Sequence, residues 1–322
     1  MDVVSDAIAA VRTGRPSVNR LRVSGSWCVR LEPYEGAGFH VALTGGCWLL
    51  PDTGPALTLA PGDAVLLPHG AGHVLADGPA DAATLARAVP FDTVGDRAPR
   101  PGASAVELLC GKYRLDRSHT HPLLAELPDV IHLPREGAGT DRADPHPELR
   151  SAIALLAREA GTPGLPGACA AVPSLLDLLL VYMIRAWTTD PATGSGSARW
   201  PAALADPVVT EALRLLHSDP AAPWTADLLA TRSGVSRATL GRRFTTLVGR
   251  PPMAYLTWWR MTRAATLLRA ADAPLESVAR QVGYGTPYAL SHAFRREFGV
   301  TPGRYRAGHL PRAHSTSLAK QS

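Results

Sequence analysis

Mostly polar and basic side chains, with one alanine, share one face on each of two short predicted helices near the C-terminal end of the chain. They are Ser236, Arg237, Ala238, Thr239, Arg242 and Arg243 on the first helix, and Tyr288, Ser291, His292, Arg295 and Arg296 on the second. An arginine guanidinium can bind O6 and N7 of guanine or pair with a phosphate, and an alanine methyl can contact the methyl group of thymine. These faces are therefore candidates for contact with double-stranded DNA.

Each of the two helices follows a shorter apolar helix and a turn that contains glycine. The apolar positions predicted to pack are Leu228, Leu229, Val235, Leu240, Phe244 and Leu247 in the first pair, and Val278, Ala279, Val282, Leu290, Phe294 and Phe298 in the second. The hydroxyls of Thr225, Ser236 and Thr286 can cap helices by accepting hydrogen bonds from free backbone N–H groups. This pattern predicts two helix-turn-helix motifs, since the second helix must pack on the first and still face the major groove.

A long amphipathic helix over residues 251–272 lies between the two pairs and includes WWRMTRAATLL. The turn and the second helix of the second pair lie within QVGYGTPYALSHAFRREFGVTPGRYR, residues 281–306. Over residues 207–306 this arrangement resembles the DNA-binding domain of the AraC/XylS family of bacterial transcription regulators. The resemblance implies that the base-contacting positions are Ala238, Gly241 and Arg242.

The second helix departs from the family pattern at His292, where the family often has Arg. That departure weakens the second base contact that the resemblance implies. Arg295 and Arg296 are expected to serve the phosphate backbone, which fixes register without carrying sequence information. Arg243 is expected to meet phosphate or solvent. The family leans towards activation, so RNA polymerase is an expected partner.

The charge of the chain is distributed unevenly. The 322 residues allow two domains of ordinary size. Residues 207–306 hold 14 arginines against six acidic residues, a net charge of +8, whereas the rest of the chain carries −3. A basic domain joined to a mildly acidic one indicates nucleic acid as the partner at one end only.

The region before the basic domain has a different pattern. Residues 20–115 contain short β-prone runs that alternate with Gly, Pro and Asp turns, which predicts an antiparallel sandwich or barrel. Within it, GDAVLLPHGAGHVLAD resembles the second motif of cupin barrels at Gly62, Pro68, Gly70 and His73, with Asp in place of a final Asn.

The resemblance to cupins implies that the N-terminal region is an effector-binding domain with a cupin-like fold. The predicted fold class is α+β. It has an N-terminal antiparallel, cupin-like β-barrel with dimerisation helices, and a C-terminal all-α domain with two helix-turn-helix motifs.

A small-molecule effector is expected to bind inside the barrel. The residues predicted for this pocket are His40, Trp48, His73 and Cys110. Metal-binding cupins carry an H-x-H pair and a Glu in their first motif, whereas LEPYEGAGFHVAL keeps His40 alone. A metal needs three or four ligands. His40 and His73 supply two, and Cys110, His119 or His121 are candidates for more. Packed histidines, a metal site and direct effector contact remain open, and no cofactor is assigned.

The four cysteines are scattered and form no CxxC pair or disulfide framework. Cys28 and Cys110 lie in predicted strands, where a free cysteine is usually a small buried hydrophobe. The alternative is an oxidant sensor, which needs a lowered thiol pKa and access to solvent. Cys110, with Lys112 nearby, is the candidate for that role.

The predicted organisation has five parts. They are the cupin-like domain at 1–147, a helical dimerisation region at 148–190, a linker at 191–204, the DNA-binding domain at 205–306, and a disordered tail at 307–322. The start of the chain has acidic residues where a signal peptide needs positive charge. The longest apolar run, LLDLLLVYMIRAW, is expected to be too short to cross a bilayer and contains Asp177. A cytoplasmic protein with no membrane partner is therefore predicted.

These features predict a homodimeric, sequence-specific transcription regulator, most consistent with an activator, that responds to a small-molecule or redox signal. One alternative is a cupin-type metalloenzyme fused to a DNA-binding module, against which the missing H-x-H and Glu argue. The other alternative is a DNA-binding protein that needs no ligand.

Overall fold

The computed structural model divides the chain into two compact units. The N-terminal unit comprises Val4–Leu204, and the C-terminal unit comprises Ala205–Ser322 with Met1–Val3. The residues whose structure is described are 2–12, 14–79, 81–94, 105–115, 121–135, 144–162, 164–190, 199–270 and 273–309.

The N-terminal unit begins with helix α1 (Val3–Val11) and continues as short strands. The strands are β1 (Ser17–Ser24), β2 (Cys28–Leu31), β3 (Gly36–Thr44), β4 (Cys47–Pro51), β5 (Leu57–Leu59), β6 (Ala64–Leu67), β7 (His73–Ala76), β8 (Val89–Pro90), β9 (Ala105–Arg114) and β10 (Ile131–Leu133). Two short helices, α2 (Ala82–Ala86) and α3 (Pro122–Ala125), and a 3-10 turn at Phe91–Thr93 interrupt this series.

The strands form two five-stranded sheets that share a core. The first sheet has the order β1-β9-β3-β6-β10 and the second has the order β5-β4-β7-β2-β8. All pairings are antiparallel except that of β2 with β8. Leu108 and Val65 of the first sheet join Leu49 and Leu75 of the second in one buried cluster. The predicted closed barrel is not seen, because no hydrogen-bonded pairing among the described strands joins one sheet to the other.

Helices cover the outer face of the first sheet. Leu66 of β6 lies against Ile8 of α1, Leu124 of α3 and Leu180 around a cavity of about 20 Å³. Leu180 belongs to α5 (Ala168–Thr189), which packs beside α4 (Pro147–Gly161). These two helices occupy the region predicted for dimerisation.

Helix α5 corrects the expectation that its apolar run is too short to cross a bilayer. It has 22 residues and is long and apolar enough by length and composition alone. Its Leu176, Leu179 and Met183 are fully buried within the unit. The Tyr113 hydroxyl of β9 donates to the Leu176 carbonyl over 2.7 Å. One side of α5 is therefore held against the sheet.

The predicted linker at 191–204 is partly wrong. Residues 199–205 form helix α6 (Arg199–Ala205), in which Trp200 is fully buried, and 191–198 lie outside the described residues. The Trp200 ring lies 5.3 Å from that of His121, centroid to centroid. A short segment that includes a proline gives only a weak helical signal in the sequence. The burial of the Trp200 indole stabilises the helix nevertheless. The predicted disordered tail also begins too early, and its part from 310 onward lies outside the described residues.

The described C-terminal unit is helical throughout. Its helices are α7 (Pro207–Ser218), α8 (Ala226–Arg232), α9 (Arg237–Val248), α10 (Pro252–Ala270), α11 (Leu275–Gln281), α12 (Pro287–Phe298) and α13 (Pro302–His309). Helix α10 serves both halves of the unit. Its C-terminal half packs with Val278, Leu290 and Phe294 of α11 and α12. Its N-terminal half places Tyr255 5.6 Å from Phe244 of α9, ring centroid to ring centroid.

A direct contact also joins the two helix pairs. The Arg260 guanidinium of α10 donates to the carbonyls of Pro220 and Ala222, over 2.7 and 2.8 Å. These carbonyls precede the first pair. Gly283, in the turn of the second pair, has a φ of +77°, and a Cβ there would lie 2.8 Å from the Ala221 carbonyl oxygen. Only glycine meets both requirements without strain.

Candidate DNA-binding surface and effector cavity

The first helix pair, α8 and α9, is capped by the predicted residues. The Thr225 hydroxyl accepts from the Leu228 backbone N–H over 3.1 Å. The Ser236 hydroxyl accepts from the Thr239 N–H over 3.2 Å. Gly249 ends α9 with a left-handed φ of +79°. These contacts satisfy backbone groups that a helix terminus otherwise leaves unpaired.

The buried stripe of α9 differs from the prediction at its end. Leu240 and Phe244 are buried, but the third buried position is Val248, whereas Leu247 is half-buried. Steps of four residues along the helix reach 248, so 247 lies at the edge of the stripe. Leu228, predicted to pack on α9, is 38% exposed.

The arginines on the opposite face of α9 differ in whether they form an ion pair. Arg237 pairs with Asp227 over 3.2 Å, and Arg243 with Asp206 over 3.5 Å. Arg242 is exposed and forms no ion pair among the described residues. Ala238 is exposed on the same face, and Thr239 is half-buried. Arg242 is therefore the guanidinium on this helix that can contact a base without first leaving a carboxylate.

In the second pair, α12 is likewise capped by a hydroxyl and carries exposed polar and basic side chains. The Thr286 hydroxyl accepts from the Ala289 N–H over 3.1 Å, as predicted. Tyr288 is 81% exposed. His292, Arg295 and Arg296 are also exposed, and the described part of the chain offers none of them an ion pair. Ser291 is half-buried. The eleven residues predicted to contact DNA are thus gathered on these two helices and the cap of the first.

The predicted effector residues do not all meet. His40, His73 and Cys110 line one cavity of about 280 Å³ in the N-terminal unit. Trp48 does not, because it alternates with Cys47 and Leu49, which point into the shared core. Trp48 packs instead against Val74 on the other face of the second sheet. The predicted placement of Trp48 in the pocket is therefore wrong.

The two cavity histidines contact each other. Their Nε2 atoms are 2.7 Å apart, and the His73 Nδ1 lies 2.9 Å from the Ala71 carbonyl oxygen. Burial lowers the pKa of both imidazoles, and the neighbouring His73 lowers that of His40 further. Both rings are therefore neutral near pH 7.

The donor set does not fit a metal site. Among the described residues, no group of three or more His, Cys, Asp or Glu side chains is placed to hold an ion. His121 caps α3 and lies beside the tilted ring of Trp200, and His119 lies outside the described residues. The remaining pair, His40 and His73, is engaged in its own hydrogen bond.

The cysteines of the core are held as thiols. Cys28, Cys47 and Cys110 are buried, and burial raises the pKa of each thiol, to about 12 for Cys47. A thiol that stays protonated reacts slowly with oxidants. This environment argues against the redox alternative at Cys28 and Cys110.

The sequence did not single out Tyr34, which also lines the cavity. Its backbone N–H donates to the Gly70 carbonyl over 3.0 Å. A Cβ at Gly70 would lie 2.2 Å from the Tyr34 carbonyl oxygen. The glycine of the cupin-like motif was therefore the available signal, since its missing side chain lets the Tyr34 loop close over the pocket.

A β-sheet unit with a cavity lined by two buried histidines, joined to a double helix-turn-helix unit, defines a DNA-binding transcription regulator. Comparisons with known proteins agree. The family model described as Cupin matches residues 2–189, and that described as Helix-turn-helix domain matches residues 229–308. The chain belongs to the AraC family of transcription regulators.

Individual relatives cover nearly the whole chain. An AraC-like transcription regulator of Streptomyces antibioticus is 35% identical over 97% of this chain and 100% of its own length. The HTH-type transcriptional regulator AlkR of Acinetobacter baylyi is 26% identical over 95% of this chain and 99% of its own. The DNA-binding domain of AdpA, crystallised with a target DNA, is 34% identical over 32% of this chain and 92% of that chain, with a TM-score of 0.31. Because the relatives are named as regulators, the enzyme alternative is set aside.

Proposed function

We propose that this regulator senses a small molecule in its N-terminal unit and changes its affinity for a specific DNA site in response, acting as an activator. The supporting observation is the 280 Å³ cavity, which brings His40 and His73 together in the unit that lacks the DNA-reading helices. A ligand bound there regulates DNA binding only if it has different affinities for the free and DNA-bound arrangements.

Sequence reading in this proposal rests mainly on α9. Arg242 contacts a guanine and Ala238 contacts a neighbouring thymine methyl. Arg243, held by Asp206, serves a phosphate. On α12, Tyr288, Ser291 and His292 face bases, and Arg295 and Arg296 bind phosphates. The protein acts in the cytoplasm, with RNA polymerase as its partner at the promoter.

The function is tested with DNA selected from a random pool by the full-length protein. Small molecules are then screened for a rise in the unfolding midpoint, since a ligand that binds only the folded state stabilises it. Ligands that raise the midpoint should also change the affinity for the selected DNA. Stabilisation without any change in DNA affinity would contradict effector control. Selection of no common sequence would contradict specific reading.

We also propose that two copies associate through the outer face of α4 and α5. Leu155 is 40% exposed and Leu178 is 39% exposed, each on the side of its helix away from the sheet. Leu179, at 0% exposure, is part of the core and not of this face. A dimer that covers two exposed leucines per copy removes apolar surface from water.

The dimer is tested by placing a charge on that face. Leu178→Asp should yield monomers in sedimentation experiments and weaken binding to paired DNA sites more than to a single site. Leu85→Asp is the matched control, because Leu85 is 46% exposed on α2 and lies outside the face. A Leu178→Asp protein that remains dimeric would place the interface elsewhere.

A further inference from the structure

The direction of the hydrogen bonds at the cavity follows from one fixed acceptor. The Ala71 carbonyl oxygen can only accept, so the His73 Nδ1 that lies 2.9 Å away carries a proton. In a neutral imidazole the other nitrogen is then unprotonated. The His73 Nε2 is therefore an acceptor.

That assignment determines the state of His40. Its Nε2, 2.7 Å from the His73 Nε2, must be the donor of the pair. Because burial and His73 keep His40 neutral, the His40 Nδ1 has no proton and can only accept. This Nδ1 is buried and has no hydrogen-bond partner in the described structure, on a residue that is 2% exposed.

A second polar atom in the cavity lining has no partner either. The Tyr34 hydroxyl is buried without a hydrogen bond. Burial raises the pKa of Tyr34, so the phenol stays protonated and can donate. Buried polar groups in folded proteins are nearly always hydrogen-bonded, and each exception calls for an explanation. Two such atoms on one cavity share an explanation if a bound molecule completes both.

The rest of the lining limits the size and charge of that molecule. A volume of about 280 Å³ accommodates roughly ten non-hydrogen atoms, given about 30 Å³ for each water of liquid. Leu31, Pro33 and Phe91 supply apolar wall. The Arg30 guanidinium is already engaged by the Asp52 carboxylate, with Nη2 2.8 Å from Oδ2. Arg30 is therefore not free to pair with an anionic ligand, and the other cation of the lining, Lys112, is exposed to solvent.

We propose that the cavity binds a compact, uncharged organic molecule with a hydroxyl group, an alcohol or a phenol, that donates to the His40 Nδ1 and accepts from the Tyr34 hydroxyl. The inference rests on the proposed effector function and names the chemical class of the effector. A carboxylate offers acceptors only and would leave Nδ1 unpaired. An ammonium ion would lose its hydration on entering the cavity, and one neutral histidine nitrogen does not offset that cost.

The proposal is tested on the full-length protein with phenol and benzyl alcohol as donor probes. Toluene is the matched apolar probe, and benzoate is the anionic one. We expect phenol to bind at least about fivefold more tightly than toluene by titration calorimetry, because a buried acceptor left unpaired carries a penalty. Benzoate should bind more weakly than phenol. Equal affinity for phenol and toluene, or no binding of phenol at millimolar concentration, would overturn the assignment.

Variants separate the two polar contacts from simple burial. His40→Leu and Tyr34→Phe should each reduce the preference for phenol over toluene. Trp48→Phe, on the other face of the second sheet, should leave that preference unchanged. Nitrogen NMR of histidine-labelled protein gives an independent check that needs no ligand. It should show the His40 Nδ1 unprotonated and the His73 Nδ1 protonated, and the reverse tautomers would refute the hydrogen-bond direction.

An error in the ligand class and a failure of effector control give different results. If phenol binds with the expected selectivity but DNA affinity does not change, then the ligand class stands and effector control fails. If phenol does not bind but another screened molecule changes DNA affinity, then effector control stands and the ligand class is wrong.

Discussion

Both units bury histidines beside another ring, but the two histidine sites are completed differently. In the C-terminal unit, the His217 Nε2 lies 2.8 Å from the Tyr255 hydroxyl, and its ring stacks on Trp259 with centroids 4.3 Å apart. In the N-terminal unit, the chain of hydrogen bonds through His73 and His40 ends at a nitrogen without a partner among the described residues.

The paired His217 and the unpaired His40 Nδ1 show how a structural polar group differs from one that is available to a ligand. A buried polar group that is paired within the protein supports the fold, whereas an unpaired one lowers its stability. In the C-terminal unit the groups available to a partner, such as Arg242, are exposed and the buried histidine is structural. In the N-terminal unit the available group is the buried histidine itself.

The largest effect is expected from the structural histidine. His217→Ala removes a buried hydrogen bond and a stacked ring and leaves a cavity, so the free energy of unfolding of the C-terminal unit should fall by about 3 kcal/mol. Urea denaturation measures this change. His292→Ala, an exposed histidine, is the control and should change stability by less than about 0.5 kcal/mol. Similar losses in the two variants would break the comparison.

The next effect concerns the exposed arginine. Arg242→Ala should weaken binding to the selected DNA by about 1–3 kcal/mol and relax sequence preference at one position. Arg214→Ala is the charge-matched control, because Arg214 pairs with Glu211 on α7, outside the recognition helices. It should weaken binding less and leave the sequence preference intact. Fluorescence anisotropy against a set of single-base variants of the site decides between the outcomes.

A smaller effect follows from the neutral state of the cavity histidines. Their folded pKa values are lowered, so the unfolded state binds more protons once the pH falls below about 6.5. Stability present at pH 7 should therefore decline between about pH 6.5 and 5, above the range in which most carboxylates titrate. Thermal unfolding of His40→Leu should show a shallower decline. An identical pH dependence in the variant would show that His40 is not kept neutral by the fold.

The smallest effect is expected on the second recognition helix. His292→Arg adds a permanent positive charge to the exposed face of α12. If that face meets DNA, then affinity should rise slightly and the salt dependence should steepen by about one unit of slope. Binding curves at several salt concentrations measure this. No change in slope would remove position 292 from the DNA surface.

The sequence predicted the C-terminal unit well because its signals are local. Apolar spacing at Leu240 and Phe244 and caps at Thr225 and Ser236 depend on residues within a few turns. The third buried position of α9 is Val248 and not the predicted Leu247. The apolar spacing therefore predicts burial less well at the end of a helix.

The N-terminal unit was predicted less completely because its organisation depends on long-range strand pairing. The strands were expected, but whether sheets close into a barrel is decided by edges far apart in the chain. Trp48 was misplaced because adjacent strand residues face opposite sides, so an error of one position moves a side chain out of the pocket. Tyr34 lies in a loop, and its backbone approaches Gly70 closely where its side chain lines the cavity.

The joint made by Arg260 and Gly283 has a consequence for the DNA sites that the protein accepts. It ties the loop before the first helix pair to the turn of the second, so we expect it to restrict changes in the separation of the two recognition helices. One inserted base pair rotates the far part of a site by roughly a tenth of a turn and shifts it along the axis. If both recognition helices enter the DNA, a monomer held by this contact cannot follow that rotation, and we expect it to reject sites that carry the correct bases at the wrong interval.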